Sequence, residues 1–203
     1  RANANKVMGE YLSRVQKLMP LCLTSLSGGS KDNAIPRSCQ ATVVAMGIGI
    51  ERINGIAAAL QQEIREKYDE PDALVQAFDV DALGGNSLTT AATADVISLL
   101  CAAPNGVQSY SADIPGLVQT SLNLGVCHLG DQFTATFSVR SSVNREKEEL
   151  LQQLRDLTAF YKGTYSQAGT YPAWEYRKDS PLRDTMVRVY QQMFGKDPQV
   201  LAI

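Results

Sequence analysis

Few residues in this sequence can take a proton, attack a carbonyl or hold a metal. His128 is the single histidine among 203 residues. Zinc hydrolase sites draw several ligands from His, Cys and carboxylates, and a catalytic triad needs a histidine beside its nucleophile, so most such sites cannot be assembled from these residues. His128 lies in an alternating segment just before Gly130 and reads as an edge-strand imidazole. Cys22, Cys39, Cys101 and Cys127 form no Cys-x-x-Cys and sit in apolar or alternating segments. They read as buried thiols kept reduced in a cytoplasm. Asp79 and Asp81 share one face of a further alternating segment, too few oxygens for a hard cation. Gly28-Gly29-Ser30 and Gly84-Gly85-Asn86-Ser87 lack the spacing and the following Lys of a phosphate loop, and read as turns.

Two other residue types could grip a ligand. Arg140 closes the alternating run Phe137-Ser138-Val139-Arg140, which puts it on the same face as Ser138, and a guanidinium there could hold a carboxylate through two parallel hydrogen bonds. The plainer reading is an arginine at a solvated strand edge. Asn33, in Asn33-Ala34-Ile35-Pro36, has residues suited to a turn, with Pro36 holding its predecessor extended. Asn123, in Ser121-Leu122-Asn123-Leu124-Gly125, reads as the equivalent asparagine of the second half.

The elements that must position these residues follow from periodicity. Val7, Met8, Tyr11, Leu12, Val15, Leu18 and Met19 predict a helix over 2–19, closed by Pro20. Strands over 21–27 and 38–47 form a hairpin, a helix carrying Ile53, Ile56, Leu60 and Ile64 stops before Pro71, and 74–81 alternates as a strand. The second half repeats this order: a helix over 89–103, strands over 117–129 and 132–141, a helix over 146–161 and a short strand over 165–168. The first helices of the halves lie roughly 85 residues apart. The expected class is α+β, two repeated helix-strand-strand-helix-strand units with helices packed on a mostly antiparallel sheet. Past Tyr171-Pro172, a helix over 181–194, capped by Ser180 and stopped by Gly195, buries Met186, Val187, Val189, Tyr190 and Met193. An apolar strand over 199–203 follows, and this pair stands outside the repeated unit.

Composition narrows the classes further. A net charge of −2 from 19 basic and 21 acidic residues draws the chain toward neither nucleic acid nor an anionic membrane. No apolar run approaches the twenty or so residues of a spanning helix, and no basic-then-apolar leader pattern is read in these residues, so no membrane segment or signal peptide is expected. Size scaling predicts a folded surface of about 9,000 Å². Both ends fall inside structured patterns, the expectation for a piece of a longer protein.

Six segments stand in an order that resembles a known family: Arg1-Ala2-Asn3-Ala4-Asn5-Lys6, Gly28-Gly29 with Asn33-Ala34-Ile35-Pro36-Arg37, Ala103-Pro104-Asn105-Gly106-Val107, Thr120 to Val126, Arg140-Ser141, and Thr170-Tyr171-Pro172-Ala173-Trp174. The chain resembles the bacterial aminoacyl-histidine dipeptidases, carnosinase-like enzymes of the di-zinc aminoacylase and carboxypeptidase superfamily. In that family a lid domain is inserted into a catalytic domain that carries two zinc ions. The resemblance implies that 1–170 is the lid, lacking its first strands, and 171–203 the start of the return into the catalytic domain. It implies that the zinc ligands, the general-base Glu and the lid's His-Ser-Gly histidine lie before Arg1 or after Ile203; His128 does not match that histidine. It also implies that Asn33 and Arg140 hold the free carboxylate of a dipeptide, in a cytoplasmic homodimer whose lid closes on its own catalytic domain. The fragment by itself is expected to be inactive. An α+β interaction or ligand-sensing module that dimerises, or a domain that serves assembly without touching substrate, are the alternatives.

Overall fold

The computed structural model describes residues 1–203 except 46, 48, 81–85 and 201–203. Helix α1 (Ala4–Gln16) starts where the Asn3 side chain accepts hydrogen bonds from the backbone N–H groups of Asn5 and Lys6, and it buries Tyr11, Leu12 and Val15. Strands β1 (Leu21–Gly28) and β2 (Cys39–Ala45) pair antiparallel, and α2 (Ile50–Tyr68) ends where Asp69 turns left-handed at φ 53°. Then come α3 (Thr90–Ala102), β3 (Gly106–Tyr110), β4 (Val118–Leu129), β5 (Phe133–Ser141), α4 (Asn144–Phe160) and α5 (Pro181–Phe194). The expected α+β class holds, and every described pairing is antiparallel.

The halves meet at the centre of the sheet. β1 pairs with the end of β4 through Leu26↔Leu129, Ser27↔His128 and Gly28↔Cys127, while β5 runs along the other edge of β4. β3 shares the β1 edge of β4 but lies farther back, at 118–122. The halves, α-β-β-α and α-β-β-β-α rather than the expected repeat, are thus joined strand to strand through β1 and β4. Leu21, Leu23 and Leu26 of β1 and Leu124 and Cys127 of β4 form one core with Leu12, Leu60 and Leu100 of the helices. Leu122 forms a smaller cluster with Leu150 and Leu154 of α4.

Polar contacts fix the helices to the sheet and to each other. The Lys6 ammonium donates to the carbonyls of Leu100, Cys101 and Ala103 at 2.6, 2.7 and 2.7 Å, a cation on the negative end of α3. Buried Thr93 of α3 accepts the Leu23 N–H of β1 at 2.9 Å. Glu146, in the first turn of α4, accepts from Ser109 of β3 and Gln119 of β4 at 2.5 Å each, and from the Thr120 hydroxyl.

Those donors, Ser109 foremost, hold the Glu146 carboxyl below its ordinary value of about 4.5. A carboxylate whose pKa is depressed by folding contributes stability above its unfolded value and loses it as pH falls through the folded one. The melting temperature should therefore fall more steeply between about pH 5 and pH 3 in the parent protein than in Glu146→Gln. Equal acid slopes in the two proteins would show that the carboxylate is not the staple across these strands.

Several expectations change. The run 74–80 forms no strand: Asn54 of α2 exchanges two hydrogen bonds with the Ala77 backbone, Gln61 accepts the Val75 N–H, and Arg65 donates to the Ala73 carbonyl. Its alternation reflects packing on a helix whose side chains replace a ladder. Residues 165–168 also form no strand, and Tyr165 packs on the small cluster beside α4, under the Arg155 guanidinium. β3 is an addition, hidden in the sequence by the turn signal Pro104-Asn105-Gly106. Gln199 and Val200 are not in a strand, and 201–203 fall outside the described residues.

α5 forms over the expected range but buries none of its residues, and its apolar stripe, Met186 and Met193 included, lies open. The accessible surface is 13571 Å², well above the size expectation. Of the cysteines, all free, Cys127 is buried, Cys22 and Cys39 are half-buried and Cys101 is exposed, so the reading of four buried thiols is corrected. His128 is exposed on β4 between two paired strands, not at an edge. The Asp79 and Asp81 face does not form at Asp79, which lies on the helix-packed strap; Asp81 and the Gly84-Gly85 turn lie outside the described residues.

Candidate functional site

Between the stretches of β4 that meet β3 and β1, no strand among the described residues covers 123–126 on that edge. Buried backbone polar groups need partners, and here asparagine side chains supply them. The Asn105 carbonyl oxygen accepts the Leu124 N–H at 2.9 Å, and the amides of Asn3 and Asn5 donate to the Leu124 carbonyl at 3.1 and 3.2 Å. Asn3 also donates to Asn105 at 2.9 Å and to Asn123 at 3.2 Å. Three amides thus replace the missing ladder and tie the start of α1 to the middle of β4.

The β1–β2 connection, which carries Asn33, crosses over this gap. Asn123 donates through its amide to the carbonyls of Asp32 and Ala34 at 2.9 and 2.7 Å, one on each side of Asn33. The backbones come so close that a Cβ on Gly125 would stand 2.2 Å from the Asp32 oxygen, and one on Gly29 would stand 1.9 Å from the Gly125 oxygen. Gly29 also has φ +75°, where glycine is favoured. Pro36 is buried beneath the loop, and Asn33 is exposed at its tip.

Arg140 is reached along the same strands. It pairs with Ser121, while Ser138 pairs with Asn123, so Arg140 lies two rungs, about 7 Å, from the pair that carries the loop. Ser121 and Asn123 alternate with Leu122 and Leu124, whose side chains are buried against the helices, so their face is the one turned away from the helical layer. Arg140 is exposed and enters none of the ion pairs found among the described residues. The structure thus places an exposed Asn33 on a loop held by Asn123 and, two rungs along the sheet from that anchor, an exposed guanidinium with no ion pair among the described residues. That pair suits a small ligand with a carboxylate at one end.

Among the described residues no group of three or more His, Cys, Asp or Glu side chains gathers as a metal site. Asn123 is no counterpart of Asn33: it stands in mid-strand and grips the loop that Asn33 tips. The roles of Asn3 and Asn105 were not readable from spacing, because their partners lie 19 to 121 positions away.

Residues 1–72, which span α1, β1, β2 and α2, match the model of the peptidase dimerisation domain. The chain is thus similar to that domain over its first 72 residues. Over 203 residues it is 28% identical to the cytosol non-specific dipeptidase of Escherichia coli (strain K12), covering 99% of this chain and 42% of that protein. It also superimposes on the crystal structure of aminoacylhistidine dipeptidase from Vibrio alginolyticus with a TM-score of 0.86 and 26% identity, covering 99% of this chain and 41% of that one. The chain thus spans about two-fifths of the length of both relatives. Asn33 and its loop lie within the matched segment, and Asn123 and Arg140 lie beyond it. No helix among the described residues is long and apolar enough to cross a membrane.

Proposed function

We propose that this chain is the lid and dimerisation part of a cytosolic, zinc-dependent dipeptidase that hydrolyses Xaa-His and other dipeptides. The observation that carries this reading is the placement of Arg140 two rungs from the pair that anchors the Asn33 loop, on the sheet face free of helices. The Arg140 guanidinium takes the free carboxylate of the dipeptide through paired hydrogen bonds, and the Asn33 amide orients the same end. A charge that holds the C-terminal carboxylate measures the substrate from that end, which favours dipeptides over longer chains. Two zinc ions, held by residues outside this chain, supply the Lewis acidity and the nucleophile for hydrolysis when bound. What these residues contribute is binding and orientation, so the 203-residue chain is inactive alone.

Residues 1–170 form the lid, and 171–203 lead back into the catalytic domain. Exposed apolar residues along α5 support this, because Leu182, Met186 and Met193 need a partner surface that the rest of the chain does not provide. Lys147 and Asn144 of α4 hold the departing segment through the Tyr171 carbonyl and the Ala173 N–H. The protomers pair as a homodimer through the dimerisation domain.

The full-length protein is expected to cleave a dipeptide such as Ala-His, to lose the activity in a chelator and to regain it with Zn²⁺. The corresponding dipeptide amide, which lacks the carboxylate, should be cleaved at least tenfold more slowly in kcat/KM. Equal rates on acid and amide would sink the carboxylate-gripping role, and chelator-resistant activity would sink the zinc chemistry.

A further inference from the structure

We propose that Asn123 is a positioning residue that sets Asn33 at the carboxylate-binding end of the site. The proposal rests on the reading given under Proposed function. Asn123 itself need not touch substrate. Its amide holds the carbonyls of Asp32 and Ala34, the residues on either side of Asn33, so the loop tip can neither lift off the sheet nor rotate without breaking both bonds.

Asn123 is in turn fixed from behind. Its carbonyl oxygen accepts the amide of Asn3, which is nearly buried and also bonds Asn105 and the Leu124 carbonyl. Asn105 takes the Leu124 N–H. A chain of side-chain amides therefore runs from the start of α1 across the gap in β4 to the loop, and only an amide in the middle can accept from one side while donating twice to the other. An aspartate of the same shape would set an anion against two carbonyl oxygens, and an alanine would leave both without that donor. Ser138, the cross-strand neighbour of Asn123, lies on β5 two residues before Arg140. The rung that sets the loop thus shares a strand with the guanidinium, two rungs away.

The test uses the full-length enzyme and a free dipeptide. Asn123→Ala and Asn123→Asp are each expected to raise KM about tenfold with kcat within about threefold of the parent, the pattern of lost ground-state binding. Asn33→Ala should raise KM comparably, and the double variant Asn33→Ala/Asn123→Ala should be no worse than Asn33→Ala alone, because both act through one contact. Hydrogen exchange in the segment 30–37 should speed up in both Asn123 variants while that of β4 and β5 is unchanged.

If Asn33→Ala raises KM but the Asn123 variants do not, or if the two effects multiply, the positioning role is overturned while the carboxylate grip stands. If Asn33→Ala leaves KM unchanged, the grip reading fails and this proposal fails with it. Should Asn123→Ala not fold, the near-isosteric Asn123→Asp decides by the same comparison.

Discussion

Replacing Arg140 with alanine in the full-length enzyme should lower kcat/KM for a free dipeptide by about 100-fold, equivalent to about 2.7 kcal/mol. Removing one partner of a charge-assisted pair costs more than a neutral hydrogen bond, because the substrate carboxylate is then left desolvated without its counter-charge. The exposed position of Arg140 and the absence of an ion pair among the described residues mean that the free protein has little at this position to lose. The thermal midpoint of Arg140→Ala should accordingly stay within about 2 °C of the parent. Lysine at the same position keeps the charge but not the planar fork, so Arg140→Lys should recover only part of the loss. The dipeptide amide provides the internal control: its slow cleavage should be nearly the same in the parent and in Arg140→Ala. A kcat/KM within twofold of the parent on the free dipeptide would remove the guanidinium from the site.

The second large effect concerns stability. Gly125→Ala should cost about 3 kcal/mol, because the added carbon meets backbone atoms, which yield less easily than a flexible side-chain end. In the present geometry the new Cβ would stand 2.2 Å from the Asp32 oxygen and 2.5 Å from its Cα. For a chain of this size that cost corresponds to a midpoint about 6–12 °C lower. Gly125 has no left-handed φ, so the effect isolates the close crossing of loop over strand and is free of the backbone strain that Gly29→Ala would add. The same variant should raise KM for the free dipeptide, since a lifted loop carries Asn33 with it. A midpoint shift below about 1 °C would mean that the loop does not lie on the strand.

How much of this was legible depended on the range of the signal. The last helix was set at 181–194 by Ser180-Pro181 at one end and Gly195 at the other, local chemistry that the structure reproduces. The paired β4 and β5 were readable from alternation around the Gly130-Asp131 turn. The strap at 74–80 was not, because alternation reports burial on one side and is silent about whether a strand or a helix does the burying. There Asn54, Gln61 and Arg65 take the place of a ladder. The apolar stripe of α5 was read as buried for the same reason, whereas none of its residues is buried by the described residues of the chain.

At the candidate site, the residue types Asn33 and Arg140 were visible and their order resembled a family, but the asparagine chain that ties the Asn33 loop to β4 and the start of α1 was not. Asn3, Asn105 and Asn123 each look like cap or turn residues in their own segments. What makes them a unit is a gap at one edge of β4, and an unfilled stretch of ladder has no sequence signature of its own.

The seam between β1 and β4 also bears on the order of synthesis. The segment similar to the peptidase dimerisation domain ends at residue 72, whereas β4, which pairs with Leu26, Ser27 and Gly28 on the inner edge of β1, runs to Leu129, 57 positions later (129 − 72). At ordinary translation speeds that interval lasts about 3 to 11 s. Through it, the first α-β-β-α unit has an unpaired strand edge beside a hydrophobic face, the kind of surface that invites pairing with other nascent chains. The second half, whatever else it carries, is what ends that exposure in the newborn polypeptide.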